Sequence, residues 1–143
     1  MQTMFIKFWL MAHKIWIFEL LIFFAIFYCS ITLAGPIKGK ARIIDGDTIH
    51  IEKNKIRLYG IDAPEINQTC TINKIIWECG IESSQALESI VSEEEVRCEI
   101  VDIDQYKRFV AICFVKNINL SQHMVQNGWA VAYRYYSDDF IND

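Results

Sequence analysis

The chain has no surplus of cationic charge: 14 Lys plus Arg stand against 18 Asp plus Glu, a formal net charge of −4 at pH 7. That balance excludes a basic protein that coats a polyanion by bulk charge. Histidine is scarce too, at three residues. Neither His50, on the polar face of a strand, nor His123, on a short helix, has a partner at metal spacing, so both read as surface residues. Past residue 34 there is no internal repeat and no low-complexity stretch, which excludes a repeat architecture. What is present is apolar: 52% of residues are hydrophobic and 13% aromatic, which excludes wholesale disorder.

Much of that apolar content lies at the N-terminus. From Phe5 to Leu33 the only interruptions by charge or histidine are Lys7, His13, Lys14 and Glu19. Two cations ahead of an apolar run over 15–34, ending in Thr32-Leu33-Ala34-Gly35, fit a secretory signal cleaved after Ala34. An uncleaved anchor is the competing reading, because a run of about 20 residues can span a bilayer. The bulky Phe27 and Tyr28 before Cys29 do not form a lipoprotein cleavage box. Either way the expectation is export, to a secreted or periplasmic location or to the outer side of a membrane, with residues 1–34 as leader or anchor and 35–143 as the working domain.

Residues 35–143 carry 12 Lys plus Arg against 17 Asp plus Glu, a net −5, and four of the five cysteines: Cys70, Cys79, Cys98 and Cys113. A domain of this size is marginal, and an even cysteine count in an exported chain favours disulfides, with three connectivities open at this point. Zinc fits less well, because the spacings are longer than the usual ligand loops.

The periodicity of the domain passes from strand to helix and back. Arg42-Ile43-Ile44 leads through Asp45-Gly46-Asp47 into Thr48-Ile49-His50-Ile51-Glu52, which alternates with period two. Lys53-Asn54-Lys55 is a turn, and Ile56-Arg57-Leu58-Tyr59-Gly60 is the next strand, ended before Pro64. A long loop is expected from Ile66 to Gly80, then an amphipathic helix from Ile81 with Ala86, Leu87, Ile90 and Val91 inward. Residues 96–102 alternate again, and 108–115 read as a strand buried on both faces, the two forming a hairpin. Asn119-Leu120-Ser121-Gln122 is a capping box opening a second helix, which stops at Gly128. The expectation is a mainly β, α+β domain: a five-stranded Greek-key barrel of the OB type with short helices, preceded by the hydrophobic N-terminal segment.

At the strand ends sit Asp47, Asp62, Glu65, Arg57 and Arg108. Two carboxylates with carbonyl and water oxygens suit calcium better than zinc or copper. Glu65 can polarise a water, and the forked donors of Arg57 and Arg108 match phosphate oxygens. In combination, Asp45-Gly46-Asp47-Thr48, then Arg57-Leu58-Tyr59-Gly60-Ile61-Asp62-Ala63-Pro64-Glu65, then Asp104-Gln105-Tyr106-Lys107-Arg108, resemble the thermonuclease family of staphylococcal-nuclease-like domains. The resemblance runs from residue 40 to about 137 and takes in Gly128-Trp129-Ala130-Val131-Ala132-Tyr133-Arg134-Tyr135-Tyr136. It implies a calcium-dependent OB-fold nuclease acting on DNA and RNA as a monomer. On this chain it implies Asp47, Asp62 and the Ala63 carbonyl as metal ligands, Arg57, Glu65 and Arg108 as catalytic residues, and Tyr106, Tyr133 and Tyr135 beside the nucleotide. The family continues into a further helix where this sequence stops at Asp143, so a barrel with less apolar cover is expected. The acidic balance implies weak, local substrate binding.

A second class is an OB-type module that binds nucleic acid or a protein without cutting. A binder needs neither both metal carboxylates nor a base, so the complete set reads as an enzyme. The hairpin also predicts the disulfides: if 96–102 pairs antiparallel with 108–115 about Gln105-Tyr106, Cys98 faces Cys113. Cys70 and Cys79 then pair within the long loop, and Cys29 stays in the leader.

Overall fold

The computed structural model describes residues 35–133 and Phe140. The expectations for 1–34, Tyr135 and the C-terminal helix lie outside the described residues. Among those described, no helix is long and apolar enough to cross a membrane. In chain order they form β1 (Ile37–Ile43), β2 (Thr48–Ile51), β3 (Asn54–Leu58), β4 (Ile61–Asp62), β5 (Cys70–Ile72), β6 (Ile75–Trp77), α1 (Cys79–Val91), β7 (Glu95–Ile103), β8 (Phe109–Val115), β9 (Ile118–Asn119), α2 (Leu120–Gln126) and β10 (Val131–Ala132). The sheet order is β3-β2-β1-β7-β8-β9, antiparallel between successive neighbours, and β3 closes on β8 in parallel, with Ile56 beside Phe109 and Leu58 beside Ala111. This is a closed five-stranded mixed barrel of the OB type, as the sequence pattern implied.

Period two fills the barrel: Ile49 and Ile51 from β2, Ile56 and Leu58 from β3, Val96 and Cys98 from β7, and Ala111, Cys113 and Val115 from β8 are buried. Burying even one such aliphatic side chain stabilises by about 1.5–3 kcal/mol. β8 departs from the expectation of burial on both faces. Its alternate residues Phe109, Val110, Ile112 and Phe114 are half-exposed, and Phe114 lies under the Arg97 guanidinium, 5.2 Å from Cζ to ring centroid. Such a cation over an aromatic face makes an exposed apolar run tolerable.

α1 begins at Cys79, two residues before the periodicity begins, and Glu78 gives it no side-chain cap. Packing sets its start instead. The Gly80 N–H donates to the Gln68 carbonyl over 3.1 Å. A Cβ at Gly80 would lie 1.8 Å from the Glu65 carbonyl oxygen, so only glycine allows the helix to press on that loop. Ser83, Leu87 and Val91, four apart, are the buried stripe. α2 behaves as expected: Asn119 accepts the Gln122 N–H over 3.2 Å, and Gly128 follows at φ 76°.

The segment read as an irregular loop from Ile66 to Gly80 instead contains the β5–β6 hairpin, where Thr71 pairs with Ile76. Periodicity hid it because Ile72, Ile75 and Ile76 are all exposed. The disulfides are Cys70–Cys79 and Cys98–Cys113. Cys98 faces Cys113 in the β7–β8 register, which holds to Ile100↔Ala111 and then shifts by one at a bulge, so that Asp102 pairs with Val110.

Candidate functional site

The turn between β1 and β2 presents Asp47. The Ile44 N–H donates to the Thr48 carbonyl over 3.0 Å, and the Asp45 carboxylate accepts the Asp47 N–H over 3.0 Å. A Cβ at Gly46 would lie 2.0 Å from Ser83 Oγ and 2.7 Å from Ala63 Cβ, so the bare glycine lets this turn seat against both α1 and the segment after β4. Asp47 is 3% exposed. Its Oδ1 accepts from Thr48 Oγ1 and Arg57 Nη1, both over 2.9 Å, and its Oδ2 accepts the Ala63 N–H over 3.0 Å.

Arg57 joins the two acidic segments. Its other terminal nitrogen, Nη2, donates to Asp62 Oδ1 over 2.7 Å, and the β4–β10 pairing of Asp62 with Val131 fixes that backbone. Burial pushes the Asp47 carboxyl up to about 6, Arg57 and the Ala63 N–H pull against it, and Asp45 adds to the rise. Burial also opposes the Arg57 charge, but Asp47 and Asp62 outweigh it and hold the guanidinium protonated.

Arg108 enters from the start of β8. Arg57 stands beside Val110 in the parallel pairing, and Arg108, two residues before Val110, belongs to the same face. Its Nε donates to Asp104 Oδ2 over 2.7 Å, while Asp104 Oδ1 accepts the N–H groups of Tyr106 and Arg108, each over 2.9 Å. Burial raises the Asp104 carboxyl, but these hydrogen bonds outweigh it and hold it below its ordinary value. Among the described residues, Nε is the one Arg108 side-chain nitrogen that makes a hydrogen bond. The two terminal nitrogens have no hydrogen-bond partner among the described residues, which leaves that edge of the fork open.

Glu65 lies on the exposed segment after Pro64. Its N–H donates to Gln68 Oε1 over 3.2 Å and its carbonyl accepts the Gln68 N–H over 2.7 Å, while its carboxylate makes no hydrogen bond or ion pair to the described residues. The structure therefore brings Asp47, Arg57, Asp62 and the Ala63 backbone together, and joins Glu65 to them by chain sequence but by no hydrogen bond or ion pair. The Tyr106 ring lies 5.4 Å from Arg108 Cζ and is 70% exposed. The Tyr133 N–H donates to the Gly60 carbonyl over 2.9 Å, and Tyr135 is not among the described residues.

A family model described as staphylococcal nuclease homologue matches residues 55–143. The chain belongs to the staphylococcal nuclease family. Among curated relatives it is 39% identical over 101 residues to the succinoglycan biosynthesis protein ExoI of Rhizobium meliloti, covering 68% of this chain and 53% of that protein. It is 33% identical over 105 residues to an uncharacterized endonuclease of Haemophilus influenzae, covering 70% and 54%. To the micrococcal nuclease of Shigella flexneri it is 32% identical over 108 residues, covering 66% and 57%. The chain thus spans just over half the length of these relatives.

In this member of the staphylococcal nuclease family the donor chemistry of the site suits a hard cation. Asp45, Asp47 and Asp62 set three carboxylates against the single Arg57 guanidinium, and Asp47 is pushed toward protonation by burial that this one guanidinium does not offset. A divalent ion that prefers carboxylate, carbonyl and water oxygens fits such an excess of negative charge. Among the described residues no three His, Cys, Asp or Glu side chains cluster in ligand geometry.

Sequence reasoning quoted three motif residues without giving them a role. Asp45 holds the Asp47 N–H, Thr48 donates to its carboxylate, and Asp104 orients Arg108. The available signal was the habit of Asp and Thr at turns of bonding nearby backbone N–H groups, with Asp104 four residues before Arg108 across a tight turn.

The buried Asp47 gives a pH prediction for the metal-free protein. A carboxyl whose folded value is about 6, above its ordinary 3.8, contributes stability that is fully present below about 4 and lost as pH rises through 6. In chelator, Asp47→Asn should therefore gain stability relative to wild type between pH 4 and pH 7. Denaturant melts at both pH values check it, and an unchanged difference would show that Asp47 is not perturbed.

Proposed function

We propose that this chain is a calcium-dependent nuclease that hydrolyses phosphodiester bonds in DNA and RNA with little sequence specificity. The observation that supports it most is the open fork of Arg108, on the same barrel face as an Arg57 held between Asp47 and Asp62. Arg57 and Arg108 bind the phosphate and stabilise the negative charge that grows on its oxygens. Glu65, whose carboxylate has no hydrogen bond or ion pair to the described residues, takes a proton from the attacking water. The new P–O bond forms to that water, the ester P–O bond breaks, and the leaving oxygen takes the electron pair and a proton from solvent. Asp47, Asp62 and the Ala63 carbonyl would hold calcium, which when bound neutralises phosphate charge and acidifies a water. Tyr106, Tyr133 and Tyr135 are proposed as the residues that meet the nucleotide. Because these groups address phosphate and sugar, sequence discrimination is expected to be small.

The test is incubation of the purified chain with supercoiled plasmid and with RNA. Both should be degraded in calcium and neither in chelator. Binding without cleavage in calcium would favour the other reading, an OB-type module that binds nucleic acid or a protein.

The reading includes export as a monomer, through residues 1–34 as a cleaved signal or through 15–34 as a membrane anchor. Two disulfides support an oxidising location. A reporter active only after export, fused behind Asp143, should be active; a silent fusion would contradict export, and a full-length membrane-bound product would select the anchor.

A further inference from the structure

Beside Asp62 and Ala63 lies a cavity of about 300 Å³ that neither arginine uses, lined in addition by Trp77 from β6 and Trp129 from the segment before β10. Its size is at the lower end of small-ligand sites, enough for one nucleobase. Both indoles are half-buried. Trp77 Nε1 is buried and has no hydrogen-bond partner among the described residues. That N–H is closed off from solvent, so it is not offered to a ligand in the cavity.

The walls are fixed in advance. The Cys70–Cys79 disulfide, itself part of the lining, ties the hairpin carrying Trp77 to the first residue of α1. Trp129 is held through both of its backbone polar groups: its N–H donates to the Met124 carbonyl over 2.9 Å, and its carbonyl accepts from Ser83 Oγ over 2.8 Å. Such rigidity lowers the ordering cost of binding a flat ligand.

We propose that this cavity is a nucleobase subsite, holding the base of a nucleotide next to the scissile phosphate by stacking on indole. The inference rests on the nuclease reading, since Asp62 and Ala63 are shared between the cavity and the candidate metal site. Every base offers a flat π face, so the subsite raises affinity without reading sequence. It also supplies binding that an acidic domain cannot draw from bulk positive charge.

The test uses the full chain, calcium and oligothymidylate in which one nucleotide is replaced by an abasic sugar. Base stacking is worth roughly 5- to 100-fold in affinity, so wild type should cleave the linkage beside the abasic sugar about tenfold less efficiently than the same linkage in the intact strand. Trp77→Ala should lose about tenfold in kcat/KM on the intact strand and little more on the abasic one. Trp77→Phe, which keeps a smaller stacking face, should fall between wild type and Trp77→Ala on the intact strand. Equal cleavage of both strands by wild type overturns the proposal even if Trp77→Ala fails to fold, as does an equal loss for Trp77→Ala on both strands. Thymidine monophosphate and deoxyribose 5-phosphate give an independent readout through indole fluorescence. Saturable quenching by the nucleotide alone, in a protein that cuts nothing, would leave the subsite standing and remove the nuclease reading. No quenching by either overturns the subsite.

Discussion

Glu65→Gln and Arg108→Ala should each abolish most of the nuclease turnover while leaving the barrel folded. A positioned general base contributes about 10²–10⁴-fold, and a donor aimed at developing charge about 10²–10³-fold. The Glu65 carboxylate makes no hydrogen bond or ion pair to the described residues, so its amide should change stability by no more than about 0.5 kcal/mol. Arg108→Ala removes a bond to a partly buried Asp104, which keeps the Tyr106 N–H and the backbone N–H of residue 108, a cost of about 1 kcal/mol. Rates at saturating DNA, paired with thermal melts, separate the two effects. A variant that kept wild-type turnover would remove its residue from the mechanism, and one that melted at room temperature would make its role structural. Asp104→Asn, which acts only by orienting Arg108, should cost less and should leave KM for DNA nearly unchanged.

Loss of the Cys98–Cys113 disulfide should give the largest fall in stability. In the chain-entropy account, a ring with sequence separation 15 contributes about 3 kcal/mol and one with separation 9 about 2.5 kcal/mol. The two bridges differ more in surroundings. Cys98 and Cys113 are fully buried in the barrel, so replacing both with alanine also leaves a small void there, whereas Cys70 lies half-exposed in the hairpin. For a domain of this size about 3 kcal/mol is about 15 °C in Tm. The double variant Cys98→Ala, Cys113→Ala should therefore melt at least that much lower, and Cys70→Ala, Cys79→Ala somewhat less low. Differential scanning calorimetry under non-reducing conditions decides it. A fall of only a few degrees for the barrel bridge would show that strand pairing alone holds β7 to β8.

The barrel was legible because its signal is local. Ile49, Ile51, Ile56 and Leu58 alternate visibly, and the constant sum of paired positions placed Cys98 against Cys113 before any coordinates. The β5–β6 hairpin was not legible, since its isoleucines face solvent and carry no alternation. The start of α1 was missed because the Gly80 contact with the Glu65 carbonyl, a tertiary feature, fixes it in place of a cap. In the site, Asp47, Arg57 and Asp62 could be named from residue type and spacing. That one guanidinium would bridge both carboxylates could not, because the bridge depends on β3 running between the two acidic turns. Asp104 was passed over for the opposite reason: its role is a hydrogen bond to another side chain, which no periodicity records.

The central claim is that this barrel face, and not a contaminant, cuts the phosphodiester backbone. The most direct measurement is the single-turnover rate on one end-labelled oligonucleotide in calcium, for wild type and for the triple variant Arg57→Lys, Glu65→Gln, Arg108→Ala purified by the same route. The account predicts cleavage by wild type and none above the no-protein control by the triple variant. Equal rates for the two preparations would contradict it.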